Sequence, residues 1–192
     1  MGGKWLFIPA VAAVLAGCAS VNEPGPSAAY RAAYEATDYK KAGGLAPGGA
    51  EEKKAVERFK DFFGNLSEQN VRAKVRDVYA ADVYFNDTLK EISGVDALEA
   101  YLLRTAENVE SCTVDIQDVA SHGGDYYFRW TMYIKFKKFK KGQVQPSIGM
   151  THIRFNKEGR ISFHQDYWDA ASNLFEKVPL VGGLIRSIKK RL

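Results

Sequence analysis

The run Gly159-Arg160-Ile161-Ser162-Phe163-His164-Gln165-Asp166-Tyr167-Trp168-Asp169 carries the plainest structural signal in the chain. A β-strand sends successive side chains to opposite faces. Ser162, His164, Asp166 and Trp168 therefore share one face, and Phe163, Gln165 and Tyr167 share the other. The first face holds a histidine and a carboxylate beside an indole. In a half-apolar hollow that pairing suits acid-base chemistry, with the carboxylate exchanging a proton and the imidazole carrying or orienting it.

Reading backwards, the turn Asn156 to Gly159 joins this strand to another over Pro146 to Phe155. Gly142 marks an earlier turn. Before it, Tyr126 to Phe136 alternates Tyr126, Phe128, Trp130, Met132, Ile134 and Phe136 against Tyr127, Arg129, Thr131, Tyr133 and Lys135. The turn His122-Gly123-Gly124-Asp125 leads back to a strand over Thr113 to Ala120, with Val114, Ile116 and Asp118 opposed to Asp115 and Gln117.

The half before these strands reads as helix. Glu51 to Phe63 spaces Val56, Phe59, Phe62 and Phe63 by threes and fours, and Gly64-Asn65 ends that pattern. A second helix runs from Ser67 to about Tyr79, then a short strand over Asp82 to Asn86, then a third helix over Gly94 to Ala106. Helices followed by an antiparallel meander give an α+β fold with the helices on one face of the sheet.

That order resembles the nuclear transport factor 2-like superfamily, which includes SnoaL-type cyclases, ketosteroid isomerases and limonene epoxide hydrolases. The likeness rests on Asp82-Val83-Tyr84-Phe85-Asn86-Asp87, on Gly94-Val95-Asp96-Ala97-Leu98, and above all on the Gly159 to Asp169 run. It implies a curved sheet wrapped by helices into a cone whose hollow holds a small apolar molecule. By the same resemblance, Asp166 falls where SnoaL-type cyclases keep a general acid-base aspartate and His164 where such members carry a histidine. Trp130, Trp168, Asn86 and His152 are further candidates to line the hollow, with Asp87, Arg129 and Arg154 beside them. The resemblance also implies a homodimer, or docking to an envelope complex, through the outer face of the sheet. An alternative reading of the same residues is structural: His164 and Asp166 pair with each other or with Arg154 or Arg160, and the two tryptophans belong to the core.

No cofactor is expected. The three histidines and two cysteines form no cluster with ligand spacing, so no metal is expected either.

The N-terminus supplies an address. Lys4 precedes an uncharged apolar run from Trp5 to Ala16, the layout of a secretory signal and too short to span a bilayer. Leu15-Ala16-Gly17-Cys18 resembles the bacterial lipobox, in which residues 1–17 are removed and the Cys18 thiol is acylated. Ala19 replaces the aspartate that signals inner-membrane retention, which points to the outer membrane, facing the periplasm. Residues 18–50, rich in Ala, Gly, Pro and Ser, read as a tether in which Ser27 to Ala42 is at most a weak helix. Cys112 is expected to be a small buried apolar residue.

Charge is localised. Lys135, Lys137, Lys138, Lys140 and Lys141 crowd one hairpin, and Lys177, Arg186, Lys189, Lys190 and Arg191 crowd the end of the chain. For an exported protein the matching surface is anionic lipid and not nucleic acid. Residues 170–192 fit it: after Pro179, Leu180, Val181, Leu184, Ile185, Ile188 and Leu192 fall on one side of a basic amphipathic helix. Such a helix lies in a membrane interface, closes the cone, or packs on a partner. The sequence therefore predicts a tethered domain over 51–169, with a small apolar ligand and the membrane as its partners.

Overall fold

A computed structural model describes residues 26–138, 142–177 and 181–192. The expected signal segment and the expected acylation site at Cys18 lie outside the described residues. So do Lys140, Lys141, Pro179 and Leu180.

In chain order the elements are α1 (Ala28–Ala36), α2 (Tyr39–Ala42), α3 (Ala50–Phe63), α4 (Glu68–Val78), β1 (Tyr79–Asn86), β2 (Glu91–Ser93) and α5 (Val95–Asn108). Then come β3 (Val109–His122), β4 (Asp125–Phe136), β5 (Val144–Phe155), β6 (Ile161–Trp168), α6 (Ala170–Asn173), a 3-10 turn (Phe175–Lys177) and α7 (Val181–Lys189). The strands form one mixed sheet in the order β2-β1-β6-β5-β4-β3. The second half is the expected antiparallel meander, and β1 adds to it in parallel beside β6, pairing Tyr84 with Phe163 and Phe85 with His164.

Three helices pack on one face of this sheet because each carries an apolar stripe. Phe59 and Phe62 of α3 are 2% and 0% exposed, burial worth about 1.5–3 kcal/mol each. On the opposite side of α3, Lys54 pairs with Glu51 and Lys60 with Glu57. Ser67 caps α4, its hydroxyl accepting from the Asn70 amide at 3.3 Å, and Val71, Val75 and Val78 point inward. Leu98 and Leu102 of α5 complete the core with Phe128, Ile153 and Ile161 from the sheet. Cys112 is buried there, and burial pushes its thiol up to about 12.

Within the segment read as a tether, the described residues form α1 and α2, and α1 lies on the sheet's other face. The Ser27 hydroxyl accepts from the Tyr30 amide and starts α1. Tyr30 and Tyr34 stack on each other at 5.7 Å and meet the Phe163 ring edge-on at 5.6 and 5.8 Å. The Arg154 guanidinium sits 4.0 Å over the Tyr34 ring and donates to the Tyr34 carbonyl at 2.6 Å. Further along, Leu45 is 6% exposed and joins the core. An Ala-rich helix that is weak alone is thus held by two aromatic side chains finding an aromatic and cationic floor. The rest of this outer face leaves Tyr133, Ile148, Met150 and Tyr167 exposed.

At the other end, α7 does not close the cone. It packs on the 3-10 turn, where Gly182 comes so close to the Glu176 carbonyl that a Cβ would sit 2.0 Å from it. Arg186 donates to the Glu176 carbonyl and Lys189 pairs with the Glu176 carboxylate at 2.6 Å. Val181, Leu184, Ile188 and Leu192 remain exposed.

Candidate functional site

Between the sheet and helices α3 and α5 the core is hollow. The cavity has a volume of about 500 Å³ and aromatic walls, among them Phe59, Phe63, Phe85, Tyr101, Trp130 and Trp168. It opens beside the exposed Leu89, Arg104 and Asn108, near Leu174. This size is within the range of small-molecule sites.

One region of the wall is polar. The Trp130 indole N–H donates to Thr151 Oγ1 at 2.8 Å, which leaves the Thr151 hydroxyl to donate to Asp166 Oδ1 at 2.5 Å. His164 Nε2 donates to the same oxygen at 3.0 Å, and His164 Nδ1 shares a hydrogen bond with the Tyr79 hydroxyl at 3.1 Å. Burial, helped by the Asp166 charge, pushes the Tyr79 phenol well above its usual range, so it stays protonated. A carboxylate oxygen only accepts, so the contact with Asp166 puts a proton on His164 Nε2. Asp166 Oδ1 is thus held by two donors, while no donor among the described residues reaches Oδ2. The Asp166 side chain is 17% exposed and lines the cavity. A carboxylate with one oxygen anchored and the other open can take a proton from a bound molecule or hold a donor on it.

A second carboxylate lies close by. Asp87 Oδ1 accepts from the Leu89 and Lys90 amides at 3.0 and 2.8 Å, and Oδ2 accepts from the Tyr101 hydroxyl. Burial first, then Asp87, pushes the Tyr101 phenol far up. The turn after Asp87 places Thr88 at φ +78°, a strained conformation for a β-branched residue. Thr88 is held there by donating to the Asp166 carbonyl at 3.1 Å, and the Trp168 indole donates to the Asp87 carbonyl at 2.8 Å. The strained turn therefore ties Asp87, Asp166 and Trp168 into one rim, the kind of local strain that clusters at functional sites.

Of the residues singled out from the sequence, His164, Asp166, Trp130 and Trp168 converge on this cavity, and Asp87 joins them. Asn86 and His152 do not. Asn86 stands opposite Gln165 and bonds the Tyr84 hydroxyl on the outer face. His152 also stands opposite Gln165, under α1, with Asp125 and Tyr127 as neighbours. Alternation along β1 and β5 sends Phe85 and Thr151 inward and these two outward. Arg154 bonds Asp125 on that outer face, and Arg129 bonds Asp118 there. Asp118 shares that side with Gln117 because a bulge interrupts the alternation after Ile116. Ser162, expected beside His164, instead donates to the Arg154 carbonyl at an irregularity where β6 begins.

Three side chains around this cavity carried no signal in the sequence. Thr151 reads as an ordinary strand residue, and only its register opposite Asp166 reveals it. Tyr79 sits at a helix-strand junction. Ser147 lines the cavity 6% exposed, with its hydroxyl oxygen buried and unpartnered. Among the described residues no three His, Cys, Asp or Glu side chains are grouped to hold a metal ion.

A sequence profile of SnoaL-like domains matches residues 56–164. No curated protein matches the chain in sequence. Among solved structures, an LEH-like epoxide hydrolase of M. tuberculosis superposes with a TM-score of 0.54 at 18% identity, covering 76% of this chain and 96% of the other. A ketosteroid isomerase-like protein from Catenulispora acidiphila, solved with trimethylamine, gives 0.54 at 18% identity over 63% of this chain and 89% of its own. An NTF2-like protein of unknown function from Exiguobacterium gives 0.51 at 18% identity over 60% and 98%. Likenesses at these identities are likenesses of fold. With the profile spanning more than half of the chain, this protein belongs to the SnoaL-like domain family.

Proposed function

We propose that this protein is a lipid-anchored, periplasm-facing lipoprotein of the outer membrane whose SnoaL-like domain holds a small apolar or amphipathic molecule in its cone. The observation that carries the reading is the cavity of about 500 Å³, walled by aromatic side chains yet left unfilled by them. Well-packed cores keep few voids larger than a water molecule, so a hollow of this size is a cost that binding explains. Leu15-Ala16-Gly17-Cys18 supplies the anchor, with acyl chains on Cys18. The exposed stripe of α7, with Lys190 and Arg191 beside it, is a second contact with the lipid surface. Removing residues 181–192 is expected to leave the protein on the membrane but to change the domain's protection from added protease. Native mass spectrometry of the full chain purified from its own membrane is expected to show one co-purifying small molecule. A chain that is always empty would end the binding reading.

A second reading is favoured by the open Oδ2 of Asp166. In it the domain is an isomerase, cyclase or hydrolase in which Asp166 takes a proton from the substrate. Thr151 and His164 hold the carboxylate in place, and Tyr79 holds the His164 ring. Hydrogen-deuterium exchange beside the carbonyl of an enolisable ketone, followed by NMR, tests it. Exchange lost in Asp166→Asn supports the enzyme, and exchange no faster than in that variant removes it.

A further inference from the structure

We infer that the cone selects a cationic hydrophobic molecule, an amine protonated at neutral pH, and seats its ammonium group against Asp166. The inference rests on the binding reading above and names the class of ligand. Asp166 lines the cavity with no donor among the described residues on its Oδ2, and Asp87 adds a second carboxylate to the same wall. Neither carboxylate has a lysine or arginine side chain as a hydrogen-bond partner. Among the described lining residues the one lysine or arginine is Arg104, which is exposed where the cavity opens. An acidic wall enclosed by apolar surface is electrostatically unbalanced, and a bound cation restores the balance where a neutral or anionic molecule does not.

The remaining walls suit the same charge. Tyr101, Trp130, Trp168 and the phenylalanines surround the space next to Asp166. Aromatic faces attract an ammonium group, more strongly when it is desolvated. A separate observation sets the other end of the ligand. Ser147 is buried, lines the cavity, and leaves its hydroxyl without a partner. It lies on β5 four residues from Thr151, which is about 13 Å along a strand. A buried hydroxyl left unpaired is costly. The ligand therefore has an apolar body between its ammonium group and an oxygen or nitrogen that meets Ser147.

Three probes of one shape isolate the charge: 1-adamantanamine, 1-adamantanol and 1-adamantanecarboxylate, titrated into the detergent-purified full chain with tryptophan fluorescence and calorimetry as readouts. The amine is expected to bind at least about tenfold more tightly than the alcohol, and the carboxylate most weakly, as one charge-assisted contact provides. Asp166→Asn is expected to remove the amine's advantage over the alcohol. Equal binding of all three probes, or preference for the carboxylate, overturns the charge selection and leaves the binding cavity standing. Binding of none overturns both. The ranking on the unaltered protein decides the matter even if Asp166→Asn fails to fold.

Discussion

Two histidine-aspartate pairs stand on opposite faces of the same sheet. On the inner face His164 donates to Asp166 at 3.0 Å; on the outer face His152 donates to Asp125 at 2.7 Å. Their burial is nearly the same, with side-chain exposures of 1% and 17% inside and 4% and 22% outside. What separates them is the third partner. Arg154 bonds Asp125 Oδ1 at 2.5 Å and clamps α1 through the Tyr34 carbonyl and ring, so the outer carboxylate is neutralised and built into the fold. The inner carboxylate has no arginine or lysine partner and receives Thr151 and His164 on one oxygen. A buried ion pair with its remaining groups satisfied is structural, whereas a carboxylate facing a hollow without a counter-charge is available for work.

The largest effect is expected from breaking the outer pair. Arg154→Ala leaves Asp125 and His152 without their cation and frees α1, at a cost of roughly 3–5 kcal/mol in urea unfolding. A loss under 1 kcal/mol would mean that the two faces are equivalent. On the inner face, Gly149 supports the Trp130 ring so closely that a Cβ would lie 2.4 Å from it. Gly149→Ala is expected to cost about 1–3 kcal/mol and to shift Trp130 from Thr151, weakening probe binding as well as stability. Tyr34→Ala removes the ring under the guanidinium and costs about 1 kcal/mol, seen as faster proteolysis between residues 36 and 50 with the cavity's binding unchanged.

The smallest effect is a pH dependence that belongs to the outer pair. Burial chiefly holds His152 below its usual 6.5, despite the hydrogen bond to Asp125. Burial pushes Asp125 up, but hydrogen bonds from Arg154 and His152 outweigh it and hold the carboxyl below 3.8. Both groups bind protons more readily in the unfolded chain. Their contribution is therefore fully present above pH 6.5, begins to fall as His152 titrates below that value, and falls again below 3.8. His152→Gln is expected to flatten the first step in urea midpoints measured from pH 7.5 to 5. An unchanged slope would remove His152 from the account.

How much of this could be read from the sequence depends on distance along the chain. The alternation of β6 is local, so a single run of residues puts His164, Asp166 and Trp168 on one face. Asn86 and His152 required the register of β1 and β5 against β6, which the turn at Asn156 to Gly159 leaves ambiguous by one residue. One residue is enough to exchange the two faces. Docking of α1 was illegible for a stronger reason. Tyr30 and Tyr34 sit in a segment with the composition of a linker, and their floor, Arg154 and Phe163, lies more than a hundred residues away. Thr151 and Ser147 matter through what surrounds them, and neither residue type announces a site.

The comparison stands or falls on removing one charge from each pair. Urea unfolding of Asp125→Asn and Asp166→Asn, measured side by side at pH 7.5, tests it directly. Asp125→Asn is expected to lose several kcal/mol, because Arg154 is left buried without its counter-ion. Asp166→Asn is expected to change stability by less than about 1 kcal/mol, since the amide oxygen still accepts from Thr151 and His164. Equal losses, or a larger loss for Asp166→Asn, would show that the inner pair holds the fold together and would contradict its assignment to a ligand.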